Sequence, residues 1–270
     1  MIKRIEQMLK TCGTQDGVFP PTELYNEGWM LRIILDWFSR QPSKSHLLSF
    51  SPAAYWFSEA LLPSPFLAKY QGDPLSESWT HADGVIGNFT IGETAKGDLS
   101  ISQSAKHLVV LEAKMFSKLS PGVTHAKKYD QAARNVACIA EVLKKGERPA
   151  NAFSQLGFYV LAPCEQIEKE PSFKSNTSKD SIRRKVEDRI EAYANREDKE
   201  EKENWFNEWF LPVLEHIDIR CLTWEQIISY IRNEDLEFGN QVSTFYESCL
   251  GYNRSVNRRE NHEKKKCIMQ

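Results

Sequence analysis

The residues with the plainest capacity for chemistry lie in KGDLSISQSAKHLVVLEAK, Lys96 to Lys114, where an apolar run ends in Glu112-Ala113-Lys114 and Asp98 opens the run before it. DLSIS and HLVVL read as two β-strands separated by a small polar turn. With Ser104, Ala105 and Lys106 as a three-residue hairpin loop, Gln103 faces His107 and Asp98 faces Glu112. Directly opposed side chains have Cβ atoms about 4.5–5.5 Å apart, a distance at which two carboxylates repel. Such a pair requires either a proton taken up by one acid or a divalent cation bound between hard oxygen ligands. Lys114, two residues past Glu112, shares a face with Glu112, Val110 and Leu108. Asp, Glu and Lys around one point can hold a metal, steer a water and stabilise developing negative charge. A loop of two or four residues would turn Asp98 to the opposite face. The alternative reading makes Asp98 a turn residue after Gly97, and Glu112 with Lys114 a solvated strand-end pair.

These residues need a sheet and helices to hold them. Thr22 to Arg40, after Pro20-Pro21, reads as a helix with Met30, Leu31, Ile34 and Phe38 on one face and Arg32, Asp36, Ser39 and Arg40 on the other. Glu27 falls on the apolar face. A second apolar helix is expected over Pro52 to Leu62, containing Glu59 and stopped by Pro63-Ser64-Pro65. ADGVIGNFTI, DLSIS and HLVVLEA then form a three-stranded meander. Tyr129 to Lys145 is a helix rich in alanine, able to lie close on a sheet, and LGFYVLAP, Leu156 to Pro163, is an interior strand. The order helix, three strands, helix, strand is α/β with a mixed sheet.

Beyond Pro163 the chain turns to charge. Ile182, Val186, Ile190 and Tyr193 place one apolar stripe on a long surface helix within Glu165 to Glu203. Trp205 to Leu214 is a helical end, HIDIRCLTW a further strand, and Glu225 to Arg232 another helix. The divisions expected are a core over 1–163, a mostly helical elaboration with an added strand over 164–252, and a flexible basic tail over 253–270.

At 270 residues and 41% hydrophobic content, the chain can bury a large core, and a net charge of −2 argues against a uniformly basic coat for nucleic acid. The six cysteines show no C-x-x-C pair and read as reduced thiols of a cytoplasmic protein. No window of about 20 apolar residues supports a membrane span. KKKCIMQ matches a prenylation box at Cys267, but four-residue terminal patterns arise easily by chance, and the tail from Arg254 reads as an ordinary basic terminus.

Gly97-Asp98, Glu112-Ala113-Lys114 at the end of an apolar strand, and Gln131 in the helix that follows together resemble the PD-(D/E)XK nuclease superfamily, the restriction-endonuclease-like phosphodiesterases. The matching region runs from the first helix to Pro163, somewhat over half of the chain; Gly97 stands where the proline of the name-giving pattern would be. The resemblance implies a restriction-endonuclease-like core and a Mg2+- or Mn2+-dependent nuclease, acting on DNA rather than RNA. It implies that Asp98, Glu112 and the Ala113 carbonyl hold the metal. Lys114 would position water or stabilise charge, and Gln131 would match the helix glutamine of many members. A carboxylate of the first helix often completes such a site, with Glu27 the first candidate here and Glu59 the second. A homodimer would be needed to cut both strands at one place. The competing class is a binding or scaffold protein that keeps the fold without catalysis. His81 and Asp83, alternating onto one strand face, could extend the site, and Lys118, His125, Lys127 and Lys128 could meet phosphates.

Overall fold

The structure is a computed structural model describing residues 1–41, 45–92, 96–122 and 126–268, with side chains through Arg254. Its elements run α1 (Ile2–Lys10), α2 (Glu27–Ser39), β1 (Tyr55–Leu62), β2 (Thr80–Gly87), β3 (Phe89–Ile91), β4 (Leu99–Ile101), β5 (His107–Ala113), α3 (Gln131–Lys145) and β6 (Gln155–Ala162). There follow α4 (Cys164–Lys169), α5 (Ser172–Asn176), α6 (Lys179–Glu191), α7 (Lys199–Trp205), α8 (Leu211–His216), β7 (Asp218–Thr223), α9 (Trp224–Glu234) and α10 (Leu236–Ile268). A five-stranded mixed sheet has the order β1-β2-β5-β6-β7, antiparallel from β1 to β5 and parallel from β5 to β7. β3 and β4 pair with each other in a small second sheet.

Residue parity along the central strands assigns the two faces. Leu108 and Val110 of β5, with Phe158 and Val160 of β6, pack toward α3, where Ala132, Ala133, Val136 and Ala140 allow a close approach. Val109 and Leu111, with Tyr159 and Leu161, pack toward α2, α9 and α10. Glu112 has the parity of Leu108 and Val110, which brings α3 within its reach. On the other face, Gly84 of β2 matters because a Cβ there would stand 2.9 Å from Leu31 and 3.1 Å from Leu35. Its bare backbone lets α2 lie on the sheet beside Asp83.

α2 is shorter than the expected 22–40. A turn of 3-10 helix covers Pro21–Glu23, and Asn26 then caps α2 through a 3.0 Å bond from the Trp29 N–H to Oδ1. Its Nδ2 donates to the carbonyls of Thr22 and Glu23, at 2.9 and 3.0 Å. Asn26→Ala should therefore destabilise by about 0.5–2 kcal/mol, read as a melting temperature lower by about 1–8 °C.

Three expected elements are different in the structure. Pro52 to Leu62 is a strand from Tyr55, not a helix: Ala53 has φ 60°, which breaks a helix, and the backbone of β1 finds its partners along β2. DLSIS does not form a hairpin with HLVVL, because β4 pairs β3, whereas β5, buried at all seven positions, takes β2 and β6 as neighbours. The helix expected within Glu165 to Glu203 is divided into α4 to α7. Its stripe of Ile182, Val186, Ile190 and Tyr193 is buried as read, and Arg189 joins it through a 2.9 Å ion pair with Glu77. β7, as expected of the added strand, pairs β6. Where a basic tail from residue 253 was expected, α10 continues as helix to Ile268; Met269 and Gln270 of the prenylation-like box lie outside the described residues. Among the described residues no helix is long and apolar enough to cross a membrane.

Candidate active site

The antiparallel ladder of β2 and β5 pairs Gly84 with Leu111, and its next step sets Asp83 across from Glu112. Two acids are opposed at this strand end, but they are Asp83 and Glu112, not the expected Asp98 and Glu112. The Ala113 N–H donates to Asp83 Oδ2 at 2.7 Å, which fixes the aspartate against the ladder. Asp98 is buried, but it lies beside Leu61 on the side of β1 away from β2. β1 and β2 therefore stand between Asp98 and Glu112, at about 4.8 Å per strand spacing. The structure does not bring these two residues together, because the register that opposed them belonged to a hairpin that does not form.

Glu112 is 1% exposed and accepts three side-chain donors. Lys114 Nζ reaches Oε1 at 2.6 Å, Gln131 Nε2 reaches the same oxygen at 2.6 Å, and Asn135 Nδ2 reaches Oε2 at 3.3 Å. Gln131 is aimed by a two-way clasp: its N–H donates to the Ser120 carbonyl at 3.0 Å, and its Oε1 accepts from the Ser120 N–H at 3.1 Å. That leaves only the Nε2 end of its amide to face Glu112. Asp130 starts α3 at this point by accepting from the Ala133 N–H at 3.0 Å. Asn135, one turn later, also donates to the Gln131 carbonyl at 3.0 Å.

Lys114 is held by its backbone as well. Its N–H donates to the Leu161 carbonyl at 2.8 Å, continuing the ladder with β6, and its carbonyl accepts from Trp224 Nε1 at 3.0 Å. Trp224, the first residue of α9, is fully buried, so the C-terminal part of the chain anchors the site lysine.

Burial and, after it, the charge of Asp83 push the Glu112 carboxyl up to about 8 against the opposing pull of Lys114. The ion pair with Lys114 is short, yet desolvation and a neighbouring carboxylate outweigh one ammonium. Glu27, at the first turn of α2, is half-buried; burial raises its carboxyl, Lys114 lowers it and Asp83 raises it. It therefore lies within electrostatic reach of both. Glu59 does not join them: its backbone has φ 59°, and its carboxylate is 3.5 Å from Arg32 and 3.9 Å from the exposed His81.

Among the described residues, no three His, Cys, Asp or Glu side chains are grouped as a ready cage for an ion. The donor set fits Mg2+ nonetheless, because this ion is commonly bound by one or two carboxylates while keeping several waters. Two opposed acids, one of them desolvated and held above its ordinary pKa, are the arrangement a divalent cation relieves.

Asp83, Asn135 and Trp224 complete the cluster. Asp83 had a signal, its place on a strand face two residues from His81; Asn135 had one too, four residues after Gln131 on α3. Trp224 had none, since its role depends on how β7 and α9 pack. Lys118 pairs with Glu170 at 2.8 Å, Lys127 and Lys128 are exposed on the loop before α3, and His125 lies outside the described residues. Comparison of the chain with family models, curated proteins and solved structures finds no match.

Proposed function

We propose that this protein is a metal-dependent nuclease with a restriction-endonuclease-like core, hydrolysing phosphodiester bonds at the β2–β5 strand end. The observation that carries this reading is the opposition of Asp83 and Glu112, with Lys114 and Gln131 both bonded to Glu112. The series α2, β1, β2, β5, α3, β6 supports it, since a helix, three antiparallel strands, a helix and a parallel strand are the elements the resemblance requires. The preference for DNA over RNA carries over from the resemblance.

Asp83, Glu112 and the Ala113 carbonyl are the groups that would hold Mg2+, with Glu27 at the side of the site. Bound there, the ion would polarise a phosphate oxygen and lower the pKa of a water. The remaining work falls to the chain. Gln131 and Asn135 keep Glu112 in one orientation, and the Ala113 N–H does the same for Asp83. Lys114, with its side chain 12% exposed, can exchange its bond to Glu112 for one to a water or a phosphate oxygen, which orients the nucleophile or stabilises developing charge.

A second reading, a binding protein that retains the fold without catalysis, draws on the same bonds: Glu112 already has an ammonium and two amide donors. Cleavage of circular and linear DNA, and of RNA, with Mg2+, with Mn2+ and with EDTA separates the two. The nuclease cuts only with the metals, and Lys114→Ala lowers the rate by at least about a hundredfold, the scale of one lost charge-stabilising donor. A wild-type chain that cuts nothing and gains no thermal stability from either metal is the binding protein.

A further inference from the structure

Pro121 and the residues that lead into α3, Lys128 and Asp130, face α6 around a cleft of about 410 Å3. Arg184, Lys185 and Asp188 line it from α6. Asp130 directly precedes Gln131, whose amide holds Glu112, so one wall of the cleft is joined through the start of α3 to the carboxylate pair.

Its charges are not paired off evenly. Asp130 is satisfied by Lys185 Nζ at 2.5 Å and by its cap of the Ala133 N–H. Lys128 is exposed with no carboxylate partner among the described residues, and Arg184 bonds only the Asp180 carbonyl, at 3.3 Å. Three other basic residues of this part of the chain do find acids. Arg183, next along α6, pairs with Glu187 at 2.9 Å, Lys118 with Glu170 at 2.8 Å and Lys169 with Glu165 at 2.6 Å. The chain has 37 acidic and 35 basic residues, so acids to pair with are not scarce. Asp188, one turn past Arg184, forms no ion pair among the described residues, which leaves the cleft with three cations to two anions.

We propose that this cleft seats the sugar–phosphate backbone of the nucleic-acid strand being cut, with Lys128 and Arg184 on phosphates beside the scissile one. The inference rests on the nuclease reading above and deepens it. α6 belongs to the segment after residue 163, so the C-terminal elaboration acquires a part in holding substrate. Contacts of this kind fix register without reading sequence, because phosphates are the same at every position. Each phosphate neutralised by Lys or Arg also releases condensed counterions, which makes the contribution salt-dependent.

The test is fluorescence anisotropy of labelled single-stranded and duplex DNA of two unrelated sequences, in EDTA, over a series of NaCl concentrations. The double variant Lys128→Ala, Arg184→Ala should bind about tenfold or more weakly for both sequences. Its slope of log K against log salt should be shallower by between one and two contacts, at about 0.7–0.9 per contact. Both residues are exposed, so the melting temperature should hold, and Arg183→Ala, already paired with Glu187, should bind as the wild type does. A double variant that binds like the wild type, while the wild type binds and cuts, overturns the cleft and leaves the nuclease standing. A wild type that neither binds nor cuts removes both. Binding of the double variant that is weakened for one sequence only would show base contacts and overturn the backbone assignment.

Discussion

Asp83→Asn should slow metal-dependent cleavage by about two to three orders of magnitude, whereas Asp98→Asn should leave it within a few-fold of the wild type. The two substitutions are equally small, each exchanging one carboxylate oxygen for an amide. They differ in place. Asp83 stands across the β2–β5 ladder from Glu112 and takes the Ala113 N–H at 2.7 Å, while Asp98 lies beyond β1, next to Leu61. If Asp83 and Glu112 share the cation, removing one of two protein carboxylates from a site that otherwise keeps waters takes away about half of its formal charge. Electrostatic contributions of this kind are worth about 2.7–4 kcal/mol, so a loss of two to three orders of magnitude in rate is expected. Equal loss in both variants would mean that Asp98 acts at the site through a contact that the strand order rules out. Equal retention would mean that neither aspartate holds a metal.

Glu112→Gln should change how stability depends on pH. The Glu112 carboxyl is raised in the folded state to about 8, so the folded chain keeps a proton there that the unfolded chain releases near the ordinary value of 4.5. When the folded state binds the extra proton, stability falls as pH rises through the interval between the two values. His46 and His107 act in the opposite sense and lower in the range: both are pushed down to about 4 by burial, so they cost stability as pH falls below their usual 6.5. The window in which Glu112 governs is therefore about pH 6.5 to 8. Across it the metal-free wild type should lose stability on the order of one to two kcal/mol, at 1.36 kcal/mol per pKa unit, and Glu112→Gln should show a flat profile. Mg2+ should reverse the decline in the wild type only, since binding requires the ionised carboxylate and becomes tighter as pH rises. Thermal melts in EDTA and in Mg2+ at half-unit steps of pH measure this. Parallel curves for the two proteins would contradict the raised pKa.

What was legible in the sequence was what local pattern controls. The apolar run of β5 ending in Glu112 and Lys114, the alanine-rich α3 carrying Gln131, and the interior strand β6 each follow from the period and apolarity of a single segment. The face shared by Glu112, Val110 and Leu108 followed too, because strand parity needs no partner. What escaped was pairing between segments distant in sequence. β5 takes β2 as its neighbour across the inserted β3–β4 pair, and no local feature of DLSIS distinguishes it from a central strand. Asp83, read in the sequence only as able to extend the site with His81, is followed by a glycine. Asp-Gly ordinarily marks a tight turn, yet Gly84 is a strand residue whose missing Cβ makes room for Leu31 and Leu35. β1 escaped for a related reason: YWFSEALL is apolar enough for either structure, and only the presence of β2 beside it decides.

The most direct measurement is the heat of Mn2+ binding by titration calorimetry at pH 8, on the wild type, Asp83→Asn and Asp98→Asn, each shown to be folded by its melt. A saturable binding step in the wild type and in Asp98→Asn, lost in Asp83→Asn, is the result expected of a cation held between Asp83 and Glu112. Binding lost in Asp98→Asn and kept in Asp83→Asn would contradict that assignment, and no binding in the wild type would remove the metal site altogether.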